Sequence, residues 1–163
     1  MSPLLPPGFT HNPSSLQLRR WLVGLACAGL AVATFLTLVQ LRVIGSWDPV
    51  FGTTEDVLHS WVSELFPVPD ALLGALIYLS EVVLGSIGGA DRWRTHPWVV
   101  LAFEAALLAT ATAGIALTLV QAFVLHTYCL LCLVQAAIGV TLLTVSRLQE
   151  ARAALAQLRR LRR

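Results

Sequence analysis

A chain of 163 residues suits one domain, but 56% of it is hydrophobic and only 12% charged, with a mean hydropathy of +0.74, which excludes an ordinary soluble domain. The formal charge of +2 is weak for a nucleic-acid groove, and no basic stretch interleaved with aromatics stands outside the apolar segments, so nucleic acid is not an expected partner. Three cysteines cannot build a four-thiolate zinc site or a dense disulfide framework. Two of them form a single Cys-Leu-Leu-Cys pair, through which any chemistry is expected to run.

The first 18 residues hold Pro3, Pro6, Pro7 and Pro13 among Ser, Gly and Asn, the composition of an unpacked, disordered arm (1–18). Four apolar runs follow, at residues 21–44, 69–89, 97–125 and 128–146. Roughly 20 helical residues cross a bilayer, so the predicted fold is an all-α membrane protein, a four-transmembrane-helix bundle over residues 19–146. A secretory signal peptide is the competing reading of the first run, but that run is longer than a signal core and leads into Gln40 and Arg42 without a small-x-small cleavage site.

The arginines set the orientation, because basic residues in short loops are retained in the cytoplasm. Arg19 and Arg20 precede the first run, Arg92 and Arg94 separate the second from the third, and Arg147, Arg152, Arg159, Arg160, Arg162 and Arg163 follow the fourth. The loop 45–68 instead carries Asp48, Glu55, Asp56 and Glu64 with no Lys or Arg; only Arg42 stands near it. This predicts a multi-pass protein of the cell inner (plasma) membrane with that loop outside and both termini cytoplasmic. In the tail 147–163, Leu148, Ala151, Leu155 and Leu158 recur at helical spacing opposite arginines, which suits a basic amphipathic helix on an anionic inner leaflet or a solvated end that enforces topology.

Within the outer loop, Trp47-Asp48-Pro49-Val50-Phe51-Gly52 is too aromatic for a mere connector, and Val57, Leu58, Trp61, Val62 and Leu65 lie at helical spacing. The pattern predicts a short amphipathic helix over residues 55–66, with Trp61 and Phe66 toward lipid, able to cap a pocket; an aromatic belt accounts for single tryptophans but less well for the clustered Trp47-Asp48-Pro49-Val50-Phe51-Gly52. Asp70 opens the second run, where capping explains it and a hydrogen bond to a ligand carbonyl is the functional alternative. Glu81 falls about 16 Å further along the helix, near mid-membrane. It is read either as a neutral core residue bonded to Ser80 or Ser86 or as part of a proton path. Glu104 is expected to pair with an arginine.

Cys129 and Cys132 fall in the first turn of the fourth run, after His126-Thr127-Tyr128. Residues three apart share a helix face at a separation that a disulfide closes, and a helix N-terminus favours the thiolate. Cys129 is expected near water, within reach of a partner thiol, and Cys132 one turn deeper, within reach of a lipid-dissolved oxidant such as a quinone. His126 either assists thiolate formation or, with both cysteines, offers three ligands to a metal. Cys27, mid-span, reads as packing.

Together the four-span core, the loop with a tryptophan and Phe51-Gly52, and Cys-x-x-Cys opening the last span resemble the vitamin K epoxide reductase family. The likeness extends through Glu55-x-Val57-Leu58 and Asp70-x-x-x-Gly74-x-x-x-Tyr78 and covers approximately residues 20–146. It implies electron transfer from thiols to a quinone of the menaquinone or ubiquinone type, with Cys132 contacting the quinone and Cys129 exchanging disulfides. Asp70 takes the place where animal members bind the quinone carbonyl with asparagine, and Trp47, Phe51 and Gly52 would belong to the loop that closes the pocket. No metal cofactor is implied. Two departures stand out: no second cysteine pair precedes the tryptophan, and Ala136 replaces the family's aromatic residue. The expected function is a membrane quinone-dependent thiol-disulfide oxidoreductase, its partners being the lipid bilayer, the quinone and a separate extracytoplasmic thiol protein, thioredoxin-like for example. The alternatives are a non-enzymatic four-helix membrane subunit acting through partner binding, and a small metal-handling protein.

Overall fold

The structure, a computed structural model, describes residues 10, 12–63, 67–146 and 148–161. Among them no strand occurs. The order is α1 (Leu16–Gln40), α2 (Thr54–Leu58), α3 (Asp70–Ser86), α4 (Arg92–Thr95), α5 (Pro97–Val120) running into a π-helical turn (Gln121–Leu125), α6 (Leu130–Ser146) and α7 (Gln149–Leu161). The helices α1, α3, α5 and α6 form the bundle; α2 closes one end of it and α7 the other.

The four runs become helices of unequal length. By length and apolarity alone, Leu16–Gln40 and Pro97–Leu125 are long enough to cross a membrane, and a third span exists if α6 and α7, bent by 52°, are one. At 17 residues each, α3 and α6 rise about 25 Å, the short limit for a span. Both are shorter than their apolar runs because turns take the ends. Gly88, at φ +86°, reverses the chain after α3, and a Cβ there would strike Arg92. His126, at φ +53°, does the same between α5 and α6.

Lipid tails are as apolar as leucine, so helices associate in a bilayer through close packing and hydrogen bonds rather than by leaving water. Small residues carry that packing here. Ala26, Gly29 and Ala33 line one face of α1, where a Cβ on Gly29 would overlap the Tyr78 ring of α3. Gly114 meets Ala136, and Gly139 meets Thr110 and Ala111, so α5 and α6 nearly touch. The buried cluster around Tyr78, Phe103, Leu107 and Leu142 fills the middle. Hydroxyls at Thr34, Thr37, Thr112, Thr118, Thr141 and Thr144 donate to the carbonyl four residues back, which keeps polar groups satisfied without water.

At the tail end, the fully buried Arg92 donates to both oxygens of Glu150 at 2.6 Å and lies 5.0 Å from the Phe103 ring centroid. Ser14 also donates to Glu150, and Asn12 donates to the Ala90 carbonyl at 2.7 Å. These contacts correct two expectations. The arm was expected to be unpacked as far as residue 18, yet helix begins at Leu16 and Ser14 is buried; residues 1–9 and 11 lie outside the described residues. The tail buries Glu150, Ala153 and Ala154 while Leu155 faces outward, because the buried guanidinium requires a counter-ion and turns that face of α7 inward. Arg147, Arg162 and Arg163 lie outside the described residues. Among the described residues Glu104 accepts a hydrogen bond from Ser146 at 3.0 Å and pairs with no arginine, since Arg92 is taken by Glu150.

Candidate functional site

The amphipathic loop helix is five residues long, not twelve; residues 64–66 lie outside the described residues. It stops because the Leu58 carbonyl, which a longer helix would offer onward, accepts the Gln40 amide at 3.1 Å. Gln40 also donates to Ser63 Oγ at 3.0 Å and accepts from the Ala71 N–H at 3.3 Å, so one side chain ties the ends of α1, α2 and α3 together. His59 sits between two carbonyl oxygens, those of Glu55 and Gln40, each 3.1 Å from a ring nitrogen.

Asp48 fastens the loop to α6. Its Oδ1 accepts from the Val50 and Phe51 N–H groups at 3.1 and 2.9 Å, and its Oδ2 accepts from the Thr54 hydroxyl at 2.8 Å and, more loosely, from the Leu130 N–H at 3.4 Å. Desolvation alone would raise its pKa, but these hydrogen bonds, led by Phe51, outweigh it and hold the carboxyl down to about 2. Thr53 donates to the Tyr128 carbonyl at 2.6 Å, and the Phe51 and Tyr128 rings lie 5.7 Å apart.

Beneath this loop Cys129 and Cys132 are joined as a disulfide with Cα atoms 5.2 Å apart. Cys129 stands just ahead of α6: its carbonyl accepts from the Leu133 N–H at 3.1 Å, and its sulfur accepts from the Cys132 N–H at 3.2 Å. Its own N–H donates to Gln121 Oε1 at 3.0 Å. The water-side access expected of Cys129 is not found. Cys129 is 0% exposed, packed against Leu36, Val39, Val57, Leu58 and Ala71, whereas Cys132 opens onto a cavity. The loop accounts for this: once Asp48 and Thr53 hold residues 48–58 across the start of α6, the sulfur nearer the loop is the one covered.

The cavity measures about 100 Å³ and is walled mainly by apolar side chains, with Cys132, Asp70, Gln121, Gln135, Tyr78 and Thr110 among its polar or aromatic lining. One water needs roughly 10–15 Å³ on this measure, so there is room for several waters or a planar ring. Asp70 lies on the wall, one oxygen accepting from the Ala71 N–H at 2.8 Å. Trp47, Phe51 and Gly52 do not line it; Trp47 is 60% exposed and Phe51 43%. The polar side of the Asp48 turn faces α6, which sends the aromatic side outward and leaves Val57, Leu58 and Val62 to face the cavity.

Glu81 continues the face of α3 that bears Tyr78, beyond the cavity floor. It is fully buried and accepts from the Thr110 hydroxyl, while Oε2 has no partner among the described residues. Neither serine bonds it: Ser80 and Ser86 donate to the Ile77 and Val82 carbonyls. His126 is exposed at the turn, and among the described residues no group of three or more His, Cys, Asp or Glu side chains is placed to hold a metal. Sequence reasoning missed Gln40, Asp48 and Gln121 as organisers. A lone amide inside an apolar run was the available signal for Gln121, and Asp followed by turn backbone was that for Asp48.

No curated protein matches the chain. The vitamin K epoxide reductase family does match, over residues 20–147, a stretch that takes in the loop, the cavity and both cysteines and stops short of α7. With most of its length covered, the chain belongs to the vitamin K epoxide reductase family, membrane helical bundles of the thiol-disulfide oxidoreductase type.

Proposed function

We propose that the protein is a quinone-dependent thiol oxidoreductase of the inner (plasma) membrane, a four-span bundle with cytoplasmic termini. It passes electrons from a separate extracytoplasmic thiol protein through Cys129 and Cys132 to a menaquinone- or ubiquinone-type quinone. The observation that carries this reading is that Cys132, bonded to Cys129, opens onto a largely apolar cavity inside the bundle. With the covering loop open, the partner's thiolate attacks Cys129, forming a mixed disulfide and freeing Cys132; a second partner thiol resolves it, leaving the partner oxidised and the pair as a dithiol. Two electrons and two protons then pass from the dithiol to the quinone, which becomes the quinol as the Cys129–Cys132 bond re-forms. Asp70 meets the quinone from the wall. His126, exposed three residues before Cys129, is the base nearest in sequence to an incoming thiol. Glu81, buried beyond the cavity floor and bonded by Thr110, is the ionisable group on the proton path from the cavity. Trp47, Phe51 and Gly52 form the outer face of the covering loop.

The test is a thiol-labelling gel shift of the pair in intact membranes, with Cys27→Ala removing the background thiol. The pair is expected to be oxidised with quinone present and to accumulate as dithiol when quinone is depleted. A redox state indifferent to quinone overturns the reading. One observation favours a second reading, a non-enzymatic membrane subunit: Cys129 is wholly covered. A subunit of that kind would keep its partner after Cys129→Ser and Cys132→Ser, which the oxidoreductase would not survive functionally.

A further inference from the structure

A quinone carbonyl needs a hydrogen-bond donor, and the cavity offers few. Asp70 as a carboxylate only accepts. The Thr110 hydroxyl is directed to Glu81, the Tyr78 hydroxyl donates to the Gln135 carbonyl at 3.0 Å, and the Gln135 amide donates to the Gly29 carbonyl at 3.3 Å. The Ser60 and Ser63 hydroxyls of the covering loop also line the cavity, but neither is bonded to the cysteine pair. Gln121 differs. It lies on the cavity wall, is 3% exposed and opens the π-helical turn at the end of α5, a widened turn of the kind that recurs at functional sites. The Cys129 N–H can only donate, so the amide atom facing it is the oxygen. The NH2 group is therefore the other terminus, and among the described residues it has no acceptor.

We infer that Gln121 is a quinone-positioning residue, its Nε2 donating to one carbonyl oxygen of a quinone in the cavity while its Oε1 holds the Cys129 N–H. One side chain then fixes the ring relative to the cysteine pair whose dithiol it oxidises. This rests on the quinone reading above. It also makes a prediction about selectivity that a packing role does not: the site distinguishes a quinone from a hydrocarbon of the same shape, because burying the amide against a ligand without an acceptor leaves it unpaired.

The experiment measures binding of 2,3-dimethyl-1,4-naphthoquinone and of 2,3-dimethylnaphthalene to the purified full chain in detergent, disulfide intact, for the wild type, Gln121→Met, Gln121→Leu and Ser60→Ala. The ratio of the two affinities is the readout, and hydrocarbon binding marks a variant that has kept its cavity. Wild type is expected to prefer the quinone, and the near-isosteric Gln121→Met to lose roughly five- to fifteenfold of that preference, the worth of one hydrogen bond. Gln121→Leu serves by the same ratio should the methionine variant not fold. An unchanged ratio in the Gln121 variants overturns the inference, as does a loss that follows Ser60→Ala instead. Absence of saturable quinone binding in the wild type overturns the quinone reading itself, and this inference with it.

Discussion

At Asp48 a single carboxylate accepts from two N–H groups of its own turn, from Thr54 and from the start of α6. Asparagine keeps one oxygen for the turn but presents an amide to Thr54 and Leu130. Asp48→Asn is therefore expected to loosen the loop and to speed alkylation of the reduced cysteines roughly three- to tenfold, the worth of about one hydrogen bond, measured as the labelling rate in membranes. The sign of the acid response follows from the carboxyl's depressed pKa. Its contribution is fully present above the ordinary value of 3.8 and is lost as the pH falls through about 2. Labelling of the wild type is thus expected to show no loop opening through Asp48 between pH 5 and 8 once the thiolate fraction is allowed for. A rise of loop opening within that window would implicate another group. Residues of this kind were only partly legible in the sequence. The cysteines and Asp70 stood out by spacing and by position at a helix start, whereas Gln40 and Gln121 act through backbone groups eight or more residues away, which no local pattern encodes.

Among the elements, the apolar runs located all four bundle helices because each run is continuous and lacks alternation. Their ends were less legible, since the turns at Gly88 and His126 consume residues as apolar as the helices they finish. The loop helix failed for another reason: its spacing is helical through Leu65, but tertiary bonds from Gln40 claim the carbonyl at Leu58. How closely α1 and α3 approach is set by Gly29. Gly29→Ala forces a methyl group into the Tyr78 ring and is expected to destabilise the bundle by about 1–3 kcal/mol, read as a lower melting temperature in detergent. Trimming the ring with Tyr78→Leu in the same chain should recover part of that loss; no recovery would mean that the contact does not set the spacing.

At the scale of the molecule, the two ends of the bundle are built on opposite principles. The loop end is closed by hydrogen bonds to backbone around a disulfide, the tail end by a buried ion pair. Removing one member of a buried pair strands the other, so Glu150→Gln is expected to cost about 3–5 kcal/mol, whereas replacing Arg92 and Glu150 together with methionine should restore most of it. Melting curves of the two variants beside the wild type decide the matter: a single variant as stable as the double would show that the pair carries no weight. The charge pattern of the sequence pointed to arginines at this end but not to their use, because the partner of Arg92 lies 58 residues away and beyond the family match.

That separation has a consequence for synthesis. The turn holding Arg92 leaves the ribosome well before α7 exists, and at roughly 5–20 residues per second the guanidinium waits several seconds for Glu150. Until then it is a cation at the end of an unfinished bundle, free to rest among lipid phosphates. That charge can be drawn inward only once α7 has been added and Glu150 is there to meet it.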